Sequence, residues 1–130
     1  MPSIDLSDLA STIVQSVENY TTDIADAIEK EVARTANAFL RDTKALAPVS
    51  NRKGAGRYKA GFKIVKEDSY GVIRRTMWNS KAPHLVHLLE FGHVKVNGGR
   101  VDGKPHIRPA YAKNVEGLPE RIKSIIRNGG

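Results

Sequence analysis

The chain has 130 residues, 21 Lys and Arg against 14 Asp and Glu for a formal charge of +7, and no cysteine. That length allows one domain with a real but modest core, and the lack of cysteine excludes a disulfide framework and thiolate chemistry. No apolar run approaches the roughly 20 residues that cross a bilayer, and the polar, acidic N-terminus lacks the charged-then-apolar pattern of a signal peptide, so neither a secreted nor a membrane protein is expected.

From Asp8 to Lys44 the apolar residues Leu9, Ile13, Val17, Tyr20, Ile24, Ile28, Val32, Ala36, Phe39 and Leu40 recur at steps dominated by three and four. That is helix spacing with one apolar stripe, and Asp5 or Ser7 can cap its start. Unbroken, such a helix spans about 50 Å at 1.5 Å per residue, long for a small domain. Thr21-Thr22-Asp23 therefore marks an expected break, with Asp23 capping a second helix. Residues 24–130 are expected to form the core of a single domain spanning 1–130. Residues 1–22, with little core to cover, are expected to be mobile or to pack on a neighbouring subunit. Leu46-Ala47-Pro48 ends the helix, because a residue before proline is pushed out of helical geometry.

Ser50 to Lys59 reads as a basic loop. Its two glycines are not followed by Lys-Ser/Thr, so a phosphate loop is excluded. A solvated, hairpin-like excursion is the simpler reading, and Arg52, Lys53, Arg57 and Lys59 are its candidates for contact with nucleic-acid phosphates or a protein partner. Gly61–Asp68 and Tyr70–Ser80 read as two antiparallel strands joined by a turn through Ser69 and Gly71, with Trp78 as a core or rim anchor. Pro83 suits a first helical turn, and Leu85, Val86, Leu88, Leu89 and Phe91 fill a short helix that Gly92 closes. A strand from His93 to Val96 and a glycine-rich hairpin or loop, Asn97–Gly103, follow, and segment 97–104 is expected to be mobile in an isolated subunit. Pro105-His106-Ile107-Arg108-Pro109-Ala110 is a rigid approach to a last amphipathic helix, Ala110–Asn128, in which Pro119 implies a kink or a fresh first turn.

His84, His87, Glu90 and His93 recur every third residue. On a helix, that step drifts by about 60° each time, so His84 and His87 could share an ion but Glu90 and His93 join them poorly unless the helix ends. No metal or other cofactor is expected, and His87 and His93 are expected to be partly buried and hydrogen-bonded. Glu90 is the more telling residue. A carboxylate set in Leu-Leu-Glu-Phe-Gly on a buried helix requires a partner. Arg108, whose guanidinium can offer a carboxylate two hydrogen bonds, is the natural one, within the subunit or across an interface. No nucleophile–base arrangement, nuclease signature or nucleotide fingerprint accompanies it, so no enzyme is expected.

The order Ala47-Pro48-Val49, a basic glycine-bearing segment, two strands, Leu89-Glu90-Phe91-Gly92, a glycine-rich excursion, then Pro105, Arg108, Pro109 and Ala110 resembles a family of small tail components of long-tailed bacteriophages, the neck or tail-completion proteins. The family's usual signatures are Y-A-x-x-x-E-F-G-T and P-F-L-R-P-A. His84, His93, His106 and Ile107 are departures, and Ser50–Gly54 stands where the family has D-T-G-x-L. The likeness extends over roughly residues 25 to 127. It implies a structural virion protein that joins head and tail as a ring of identical subunits. Its partners would be other neck and tail proteins, and it would act in the host cytoplasm during assembly and then in the virion.

Charge distribution fits that implication. Asp5, Asp8, Glu18, Asp23, Asp26, Glu29, Glu31 and Asp42 outnumber Lys30, Arg34, Arg41 and Lys44 in residues 1–46, while the remainder holds seventeen bases and six acids. Unlike patches of this kind suit head-to-tail contacts between copies. A basic surface equally suits a polyanion. The expected fold is α+β, a long N-terminal helix and a C-terminal helix packed on a small, mostly antiparallel sheet. The expected function is tail completion or head–tail joining, with DNA passing through the ring without specific binding. A sequence-nonspecific nucleic-acid-binding accessory protein is the alternative, and a metal-dependent hydrolase a third reading.

Overall fold

A computed structural model describes residues 6–49 and 56–130, with backbone alone at residues 6 and 7. The α+β class expected from the sequence holds: helices α1 (Leu6–Leu46), α2 (Arg57–Gly61), α3 (Val86–Phe91), α4 (Ile107–Asn114) and α5 (Leu118–Asn128) accompany strands β1 (Phe62–Ser69), β2 (Val72–Asn79), β3 (Gly92–Val94) and β4 (Arg100–Asp102). The strands form two separate antiparallel hairpins, β1–β2 and β3–β4. No helix among the described residues is long and apolar enough to cross a membrane.

The break expected at Thr21-Thr22-Asp23 does not occur, and α1 is one helix. Thr and Asp cost at most about 0.7 kcal/mol each in a helix interior, too little to stop an apolar stripe that continues on both sides. The hydroxyls of Thr12 and Ser16 fold back onto the carbonyls of Asp8 and Thr12 and so join the helix rather than interrupt it.

Two compact units divide the chain, one of Met1–Val32 with Pro119–Gly130 and one of Ala33–Leu118. In the first, α5 lies against α1. The Tyr20 hydroxyl donates to the Ile126 carbonyl at 3.1 Å, and Arg121 Nε meets Glu31 Oε1 at 2.6 Å. Gly129, at φ 77°, closes α5 and sits beside the Tyr20 ring. Tyr20 and Asp23 are thus the first described residues of α1 that the C-terminal segment meets, and every residue from Asp8 to Asp23 is exposed. Pro119 begins a fresh helix rather than kinking one. A tight turn, with Leu118 N bonded to Val115 O at 3.0 Å, separates α4 from α5.

The second unit holds the core: Ala47, Tyr58, Phe62 and Ala82, packed by Leu40, Met77, Leu85, Val86, Leu89 and Ile107. Arg57 and Lys59, read from sequence as loop residues, lie on α2, while Arg52 and Lys53 fall outside the described residues. Five residues are too few for a periodicity to be read. What drives this turn inward is Tyr58, whose ring packs edge-on against Phe62 at 5.0 Å. In the β1–β2 hairpin, Phe62 pairs with Asn79 and Ser69 with Val72. Tyr70 and Gly71 both take positive φ, 53° and 77°, at the tip. Two left-handed central residues give the twist that a two-residue hairpin needs.

Asn79 ties this unit together in a way its residue type did not announce. It is buried; its amide donates to the Tyr58 carbonyl at 2.7 Å, and its Oδ1 accepts from the backbone of Lys81 and Ala82. A side chain at Gly61 would collide with that Oδ1, so the helix-to-strand corner needs glycine.

Candidate functional site

Residues 84–110 converge on Glu90. Its residue is only 2% exposed. A lone carboxylate in that position would be costly, but the first turn of α4 is brought to it. Oε1 accepts from the backbone N–H of His106 at 2.9 Å and of Ile107 at 2.8 Å, and Oε2 from the backbone N–H of Arg108 at 3.1 Å. Arg108 Nε adds a side-chain bond to Oε2 at 3.0 Å. A helix normally leaves its first N–H groups without partners, and His106, at the cap, offers no side-chain bond of its own. Glu90 supplies the cap from sixteen residues upstream. Pro109, the third residue of α4, brings no N–H to be satisfied. Contrary to the expected rigid approach, Ile107 to Ala110 form the first turn of α4 itself, where proline is tolerated for that reason.

The other end is served as well. The last carbonyls of α3 would also lack partners, and the returning chain provides them. Lys104 N donates to Leu89 O at 2.8 Å, Arg108 Nη2 to Glu90 O at 3.3 Å, and Arg100 Nη2 to Phe91 O at 2.7 Å. The end of α3 and the start of α4 are therefore capped by each other, carboxylate at the positive end of one dipole and guanidinium at the negative end of the other. This requires very close backbone approach. Gly92 takes φ 81° and ψ 177°, and a side chain there would run into Val101 O, and into Gly103 N at 2.6 Å. A Cβ at Gly103 would meet Glu90 O at 2.6 Å. Gly92 closes α3 as expected, yet its ψ is extended rather than left-handed helical, a region open to glycine alone. The strand expected from His93 to Val96 is shorter, and Arg100–Asp102 pairs back onto it.

Burial would push the Glu90 carboxyl up, but the three backbone N–H groups and the Arg108 side chain outweigh it and bring its pKa down to about 2. Next to it His106 is fully buried. Its Nδ1 faces two acceptors, the Lys104 carbonyl at 2.7 Å and Glu90 Oε1 at 3.1 Å, so Nδ1 carries the proton. Nε2 lies 2.6 Å from the Tyr58 hydroxyl. Burial, and then the nearby Glu90 charge, raise Tyr58 to about 12, which keeps its proton in place to donate. Phe91 lies over the Arg108 guanidinium at 4.5 Å and screens the pair from one side.

The structure thus brings Glu90, Phe91, Gly92, Pro105, Arg108, Pro109 and Ala110 into one node, with Ala110 buried beside it. Arg57 and Lys59 are on α2, whose Tyr58 reaches the same node. Of the two histidines expected to be partly buried and hydrogen-bonded, His87 is exposed, with its ring 4.9 Å from Phe91. His93 is partly buried as expected, but its buried Nδ1 has no hydrogen-bond partner, and His106 is the fully buried, bonded one. Trp78 is a rim residue, 43% exposed, with Lys63 Nζ 5.1 Å from its ring. Among the described residues, no group of three or more His, Asp or Glu side chains is arranged to hold a metal ion. The Tyr58–His106 and Asn79–Gly61 contacts were missed; their only signal was a histidine between two prolines and an asparagine at a strand end.

No curated protein and no solved structure matches the chain. The family described as "Bacteriophage HK97-gp10, putative tail-component" matches residues 11–92. That span takes in α1 from Ser11 onward, the first hairpin and the Leu89-Glu90-Phe91-Gly92 motif, starts earlier than the likeness read from sequence, and stops short of Pro105–Ala110. It covers well over half of the 130 residues. The chain belongs to the HK97-gp10-like family of bacteriophage tail components.

Proposed function

We propose that this tail component acts at the neck, completing the tail or joining it to the head as a ring of identical subunits. The observation that carries the reading is the division of the molecule's surface. The first four turns of α1 are acidic and expose Leu9, Ile13, Val14, Val17 and Tyr20, while the basic remainder exposes apolar residues of its own, including Val72, Trp78, Val94 and Val96. Identical subunits that present unlike patches meet head to tail, and such contacts close into rings when the rotation allows. The contribution is then one of assembly rather than catalysis: other neck and tail proteins are the partners, association begins in the host cytoplasm, and the product stays in the virion. A ring whose inner wall carries bases lets DNA pass without reading its sequence.

Removal of the gene from a phage that encodes it tests this. Filled heads and finished tails should accumulate unjoined, and the purified protein added to that lysate should restore joined particles. Joined particles made in its absence would overturn the neck assignment.

A further inference from the structure

Two stretches of this chain are unfinished in complementary ways. Along α1 every side chain from Asp8 to Asp23 is exposed, and α5 reaches it only as far as Tyr20 and Asp23. A lone helical stretch of that length is marginal in water without a surface to cover its stripe. The stripe itself is Leu9, Ile13, Val14, Val17 and Tyr20, with Val17 at 59% exposure. No basic residue precedes Lys30, so the helix around the stripe carries only negative charge: Asp8, Glu18, Asp23, Asp26 and Glu29.

The second stretch is the β1–β2 hairpin. Two strands alone are also marginal, and every residue from Lys66 to Arg74 is exposed. Cross-strand partners share a face, so Lys63–Trp78, Val65–Thr76, Glu67–Arg74 and Ser69–Val72 form one continuous surface. It offers a half-exposed tryptophan, Val65 and Val72 (the latter 65% exposed), two bases and one acid. Its length of about 20 Å, six steps of about 3.3 Å, matches the roughly 17 Å from Leu9 to Tyr20. The three-rung β3–β4 hairpin, about 7 Å long, is too short to do so.

We infer that the stripe Leu9–Tyr20 of one copy docks on the Trp78–Val72 face of the β1–β2 hairpin of a second copy, negative helix against positive strand pair. This rests on the ring reading and names the contact within it. Apolar anchors supply the affinity, with Trp78 as an aromatic anchor at one end of the face. Asp8 and Glu18 against Lys63 and Arg74 set the polarity, because either surface meeting its own kind would bring like charges together.

The test uses the full chain and its lack of cysteine. Val17→Cys and Val72→Cys, both at exposed positions, are purified separately, then mixed at rising concentration and treated with a short bis-maleimide. A head-to-tail contact never brings two Val17 residues together, so the mixed product should exceed each like-with-like product by about fivefold or more. It should fall with added salt, while in the parent protein the emission of the lone Trp78 shifts to the blue as association proceeds. An assembled protein whose cross-links join like with like, or in which no mixed product forms, overturns this contact and leaves the ring standing. A chain that stays monomeric at every concentration overturns both.

Discussion

The node around Glu90 and the first turns of α1 were both legible as amphipathic segments, yet they end in opposite states. At the node every helix end is met by a partner from within the same 27 residues, and the acid at its centre is 2% exposed. On α1 Leu9, Ile13, Val14 and Val17 stand exposed, and of the stripe only Tyr20 meets α5. A region complete within one subunit holds the fold, and a region complete only in company carries the assembly. Substitutions should therefore sort by readout: stability at the node, association on the helix.

The largest effect is expected from Glu90→Ala. It leaves three backbone N–H groups and Arg108 without their acceptor and should cost about 3–5 kcal/mol, read as a fall in the urea midpoint. Arg108→Ala should cost less, and the double variant should reveal a coupling of about 0.5–3 kcal/mol. Additive losses would mean that backbone capping alone holds the carboxylate.

Acid should act more gently on the same group. The unfolded chain protonates Glu90 near the ordinary 4.5 and the folded chain only near 2, so between those values the unfolded state binds more protons. Stability is thus fully present above about pH 5 and declines as pH falls toward 2, by on the order of 3 kcal/mol from this residue. Glu90→Gln should flatten that part of the urea-midpoint profile, and an unchanged slope would assign the acid sensitivity elsewhere.

The smallest stability effect is expected from deleting residues 1–18, which stops short of Tyr20. The truncated chain should unfold cooperatively with a midpoint within about 0.5 kcal/mol of the parent, as for exposed positions elsewhere, while association is lost. A truncated chain that fails to fold would return α1 to the core and dissolve the contrast.

How far the sequence carried the fold depends on where each interaction is written. The stripe of α1, the proline and glycine borders of α3 and the alternation in β1 and β2 are local patterns, and they were legible. The continuity of α1 through Thr21 was not, because three mildly unfavourable residues looked like a stop yet cannot outweigh a stripe that continues beyond them. Glu90 and Arg108 could be paired from charge and burial alone. The larger share of the bonds to Glu90 comes from backbone N–H groups, which every residue but proline carries and which leave no mark in a sequence. For the same reason Asn79 looked like a strand end and His106 like one more residue of a proline-bracketed approach.

Counting lone pairs draws a last consequence from the node. A carboxylate has about four directions in which it can accept a hydrogen bond. Glu90 accepts from three backbone N–H groups and from Arg108 Nε, and His106 Nδ1 faces Oε1 as well. The oxygen atoms are saturated, with no direction left over for a water, a cation or a proton in transit. All of its lone pairs go to holding the end of α3 and the start of α4 together.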